Sequence, residues 1–132
     1  MSKQTMFLAI LMVLFSGATF SEYIDCDSKT MKYEVMNCEQ NNMEDTEKRL
    51  KEIQKKIKDS SSIKSADKYA LERGDNIWLK AITDYCNSID TLSFDPNYGK
   101  DHTDLTCKEN LIRNHIVWLE EMKSSLEKAM SK

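Results

Sequence analysis

Apolar side chains recur along this chain in three rhythms. From Met6 to Phe15 they are almost continuous. Between residues 22 and 42 they are sparse and irregular, apart from Cys26 and Cys38. From Met43 onward they return at three- and four-residue spacing, the period of a helix with one buried face. Met43, Thr46, Leu50, Ile53 and Ile57 predict a helix over about 43–58, with Asn41-Asn42 as its cap. The opposite face sets Glu44, Glu47 and Glu52 four residues ahead of Lys48, Lys51 and Lys56. Such pairs support a helix by about 0.2–0.5 kcal/mol each. A short extra helix over about 28–38 would place Met31, Val35 and Cys38 on one face.

Asp59-Ser60-Ser61-Ser62 breaks the pattern, and a serine there can open the next element. The second helix is expected over about 65–86. Ala70, Gly74, Trp78 and Ala81 form its stripe, widened by Leu71, Ile77, Ile82 and Tyr85. Residues 87–102 lose the period, and Asp95-Pro96-Asn97-Tyr98-Gly99 is turn chemistry. The period returns over about 104–130 with Leu105, Lys108, Ile112, His115, Leu119, Met122 and Leu126. Either Asp104 or the Thr106–Glu109 pair is placed to cap that helix. His115 reads as a histidine at the core edge, and Leu50, Trp78 and Trp118 as core anchors. The expected fold is all-α: a three-helix antiparallel bundle or extended helical hairpin, stapled by two disulfides.

The continuous apolar run changes the picture of where this chain works. It follows Lys3 and is followed by the small residues Ser16, Gly17, Ala18, Thr19 and Ser21, the layout of a cleavable secretory signal over 1–21. The run is shorter than the ~20 residues of a comfortable membrane span. Residues 22–132 are then one helical domain, periplasmic or secreted, without a membrane span once the signal is removed. All four cysteines, Cys26, Cys38, Cys86 and Cys107, lie beyond the signal. An even count in an exported chain reads as two disulfides. Sequence neighbours suggest Cys26–Cys38 and Cys86–Cys107, with three connectivities formally open.

Composition narrows the function further. Three glycines and one proline argue against a turn-rich β architecture. The formal net charge is -3, with both signs interspersed and no basic stripe, which argues against nucleic acid as a partner. Removing residues 1–21 takes away Lys3 and no acid, leaving -4. The sequence has no nucleophile elbow, phosphate-binding glycine loop or His-Glu-x-x-His. His102 and His115 lie thirteen residues apart with no nucleophile convincingly between them, and no Cys-x-x-Cys supports a metal site. The chain is read as a non-enzyme without cofactor or metal. The large apolar side chains of the 87–102 loop are either tacked onto the core or presented to a partner. Leu92, Phe94 and Tyr98, with Lys100 and His102 beside them, are the candidate partner-binding residues.

One stretch carries a family resemblance. Gly74-Asp75-Asn76-Ile77-Trp78 through Cys86 is similar to an Ala-Gln-x-x-Trp-x-x-x-Arg-x-x-x-Cys motif, with Trp78 and Cys86 at the matching eight-residue separation. Leu50, Cys107 and Arg113 fit more loosely. On these residues the chain resembles the LprI-type lysozyme-inhibitor domain family, over most of residues 26–122. It departs from the pattern at Gly74, Asp75, Ile82 and Lys51, where the family carries Ala, Gln, Arg and Asn. The resemblance implies a helical, disulfide-bonded protein of the bacterial envelope. It also implies a partner such as a basic wall hydrolase; an immunity protein against a toxin would be the same physical object. An envelope structural or assembly protein, or a small helical ligand carrier, is the alternative.

Overall fold

The computed structural model describes residues 24–89 and 100–131; the side chains of Asp27 and of residues 100–103 are outside that description. The expected signal over 1–21 also lies outside it. Among the described residues there are three helices: α1 (Lys32–Asp59), α2 (Ser65–Ile89) and α3 (Lys100–Met130). A single 3-10 turn, Cys26–Ser28, precedes them. The fold is all-α, a three-helix bundle closed by two disulfides, Cys26–Cys38 and Cys86–Cys107. This is the neighbour pairing among the three connectivities.

The helices pack up, down, up. Thr46 meets Glu109 and Ser60 meets Glu127, at separations of 63 and 67 residues, so α1 and α3 run parallel in nearly constant register. α2 runs the other way. Its separation from its partner on α3 falls from 40 residues at Asp75–His115 to 21 at Cys86–Cys107. The α1–α3 contact is the broadest, and α2 lies against it with a thinner seam. The core joins Met43, Leu50, Ile53 and Ile57 of α1, Ile82 of α2, and Ile112, Ile116 and Leu119 of α3. Burying each of these larger side chains stabilises the fold by about 1.5–3 kcal/mol. Ile63, in the α1–α2 turn, completes that core. Ser60 fixes the same turn by donating to Glu127 at 2.9 Å.

Two boundaries differ from the pattern-based reading. α1 does not start at 43, and Asn41-Asn42 is not a cap. The helix begins at Lys32 and runs unbroken to Asp59 because Val35, Cys38, Asn42, Met43 and Thr46 continue the three- and four-residue spacing on its buried side. The first turns of that side are covered by the Cys26 staple rather than by another helix. Asn42 is buried, and its amide donates to the Ile24 carbonyl at 2.9 Å, tying the leading segment down. α3 likewise starts at Lys100, so Asp104, Thr106 and Glu109 lie inside it instead of capping it. Asp104 is held by Lys108 one turn on, at 2.7 Å.

Candidate protein-binding face

α2 carries two apolar stripes one residue out of phase, about 100° apart around the helix. The inner stripe packs on the other helices: Asp75, Ile82 and Cys86 are buried, and Leu71, Trp78 and Leu79 are half-buried. The outer stripe is Ala66, Ala70, Gly74, Ile77, Ala81 and Tyr85, every one exposed. Ile77 is 63% exposed and Tyr85 56%, large values for apolar side chains with two neighbouring helices at hand. The sequence-derived stripe mixed these two faces, and the structure separates them. Ala70, Gly74 and Ala81 look outward, while Trp78 lies along the core.

Beside the outer stripe, α2 and α3 are joined by a polar bridge set among rings. Asp75, 4% exposed, accepts from His115 Nε2 of α3 at 2.7 Å and from Gln54 Nε2 of α1 at 3.1 Å. The carboxylate therefore links all three helices. The imidazole is sandwiched: its centroid lies 4.0 Å from Trp78 and 5.4 Å from Trp118, with ring planes within 18° and 15° of parallel. Trp118 was expected in the core and is corrected here. It is 43% exposed because its inner face is used against His115 and its outer face is left to solvent. With Ala70, Leu71, Gly74 and Trp78 it borders a surface groove of about 410 Å³. Its lining sets the rings of Trp78, His115 and Trp118 beside Leu71 and the small Ala70 and Gly74. Asp75 also lines it, with both carboxylate oxygens already hydrogen-bonded.

A second buried polar group sits deeper, between α1 and α3. Glu109 is fully buried and accepts from Thr46 Oγ1 at 3.2 Å, with the Arg113 guanidinium beside it. Burial pushes its carboxyl above the ordinary value, while Arg113 and Thr46 pull it partly back. Glu109 does not line the groove beside Trp118. His115 has its described hydrogen bond to Asp75 and stacks on Trp78 and Trp118. Among the described residues no group of three or more His, Cys, Asp or Glu is placed to hold a metal ion. No described helix is long and apolar enough to cross a membrane.

No family model, curated protein or solved structure matches this chain. The motif residues can still be placed. Cys86 and Ile82 face the core, Trp78 stacks on His115, Leu50 is buried and Lys51 is exposed. Of the residues chosen from sequence for partner binding, Leu92, Phe94 and Tyr98 lie outside the described residues. Lys100 and His102 open α3, but their side chains are not described. Sequence reasoning missed the Asp75–His115 bridge. Its signal was present: an acid inside an apolar stripe of one helix and a histidine on the seam of another.

Proposed function

We propose that this chain is an exported protein-binding protein that uses the α2–α3 face around Trp118. Its target would be a lysozyme-like wall hydrolase, or a toxin if it acts as an immunity protein. The observation that carries the reading is the exposed Trp118, braced on His115 beside a groove, with Ile77 and Tyr85 exposed on the adjacent helix. Braced aromatic side chains lose little freedom on binding and commonly dominate interfaces. The resemblance at Trp78 and Cys86 supports the choice of a wall hydrolase. A mature charge of -4 would speed its approach to a basic enzyme without supplying specificity.

The test is capture of candidate wall hydrolases and toxins by the oxidised mature protein, with residual lytic or toxic activity read on each captured species. The expected result is stoichiometric capture with lost activity. Trp118→Ala should weaken capture at least tenfold while leaving helicity unchanged. A parallel Phe94→Ala/Tyr98→Ala variant tests the loop residues chosen from sequence. Equal affinity of Trp118→Ala and the parent for the true partner would sink the face assignment. Capture without inhibition would move the reading toward an assembly role.

A further inference from the structure

We propose that the cleft between α1 and α2 binds a small zwitterion, best matched by a free peptide of about three residues. Its carboxylate would meet Lys58 and Lys68, and its ammonium Glu72 and Asp75. The cleft measures about 360 Å³ and is lined by these two helices alone. That volume falls within the ~300–1,000 Å³ of small-molecule sites. Its apolar lining is Ile57, buried, and Leu71, half-buried.

The charges on this lining are sorted by sign. α1 and α2 run antiparallel, so two contacts across the cleft mark its two ends. At one end Lys68 Nζ donates to the Lys58 carbonyl at 2.8 Å. That occupies one of the three N–H donors of Lys68. The ammonium of Lys58 makes no hydrogen bond or ion pair with a described residue. Lys55, on the same lining, is held by Asp59. At the other end Gln54 donates to Asp75 at 3.1 Å. Asp75 is a buried carboxylate. Glu72, three residues before it, has no hydrogen bond or ion pair to a described residue. The side-chain carbonyls of Gln54 and Asn76 add acceptors for an ammonium there.

Spacing sets the length of the ligand. Lys68 and Asp75 are seven residues apart on α2, about 10 Å along its axis. One amino acid is too short to reach both ends, since each residue of an extended chain spans about 3.5 Å. Three residues reach. Leu71 lies midway, where the middle side chain of the peptide would pack. A ligand of one sign would meet like charge at one end, whereas a free peptide meets opposite charge at both. Leu71 and Asp75 also line the Trp118 groove, so the two openings share a wall.

Titration of the oxidised mature protein with the tripeptide Ala-Leu-Ala, followed by two-dimensional NMR, tests this. The side-chain amide signals of Gln54 and Asn76 should shift and saturate, with a dissociation constant of about 1 mM or below. Blocking either end of the peptide, by acetylation or amidation, should weaken binding roughly fivefold, which is what one exposed ion pair supplies. Lys58→Gln should shrink the penalty of amidation alone, and Glu72→Gln that of acetylation alone. Lys51→Gln removes the same charge outside the cleft and should change neither. Gln54 and Asn76 signals unmoved at about 10 mM peptide overturn the proposal. Equal binding of the free and the doubly blocked peptide also overturns it, since that is contact with apolar surface alone. So do variants that change both penalties alike. None of these results bears on target capture, which is read through Trp118 and lost activity.

Discussion

Replacing His115 with alanine tests the bridge that ties α2 to the rest of the bundle. Two losses follow from the geometry. Asp75, 4% exposed, keeps Gln54 but loses its shorter hydrogen bond, the 2.7 Å contact to Nε2. Leaving a buried group short of a partner costs about 1–3 kcal/mol. The two stacking contacts, to Trp78 and Trp118, also disappear, at about 0.5–1.5 kcal/mol each. The sum is about 2–6 kcal/mol, and ~3 is the central expectation. With a urea dependence of ~1.5 kcal/mol per molar for a domain of this size, the midpoint should fall by about 2 M. Urea titration of the oxidised protein, followed by far-UV circular dichroism, measures it. Asp75→Asn and the double variant complete a cycle that isolates the pair, with a coupling of about 1–3 kcal/mol expected. A midpoint within ~0.3 M of the parent, or additive single variants, would refute the account of the bridge.

Two further perturbations probe parts of the fold away from that bridge. Glu109 has a raised carboxyl value in the folded state, chiefly from burial, against an ordinary 4.5. Its protonated form therefore favours folding below that value, and this contribution is lost as pH rises through the folded-state value. The thermal midpoint of the parent, measured relative to Glu109→Gln, should fall between pH 4 and pH 7; a flat or rising difference contradicts the assignment. The two disulfides close loops of similar size, 12 and 21 residues apart, so removing either should cost about 3 kcal/mol by the loop-entropy account. Only loss of the Cys26–Cys38 bridge should release the Ile24–Asn42 bond, read as faster exchange at the start of α1. Equal exchange there in both variants would count against the staple's local role.

Much of this architecture was legible in the residues because helices write their period locally. Leu50, Ile53, Ile57, Ile112 and Leu119 mark the α1–α3 core by spacing alone. The start of α1 was not legible. Spacing suggests a separate short helix over about 28–38, because Glu39 and Asn42, buried in the fold, read as a polar break before Met43. The orientation of α2 was hidden for another reason. Its two stripes differ by one residue, and both contain apolar side chains. Burial is decided by contacts from outside the helix, with Cys86 tied to Cys107 and Asp75 to His115. Trp118 followed the same logic. Its position beside the seam suggested burial, but it is 43% exposed, stacked on His115.

The placement of the staples gives the bundle a direction. Both disulfides lie at one end, where the start of α1, the last turns of α2 and the first turns of α3 come together. The far end is held by Ile63, by Ser60 on Glu127, and by Lys68 on the Lys58 carbonyl at 2.8 Å. Local opening is cheapest where few buried contacts must break. The molecule thus resembles a zipper sewn shut at one end. Under heat or pulling, the turn at 60–64 and the tail of α3 part first while the sewn end keeps its neighbours. Reclosure then starts from a pre-aligned end, without a new search for partners.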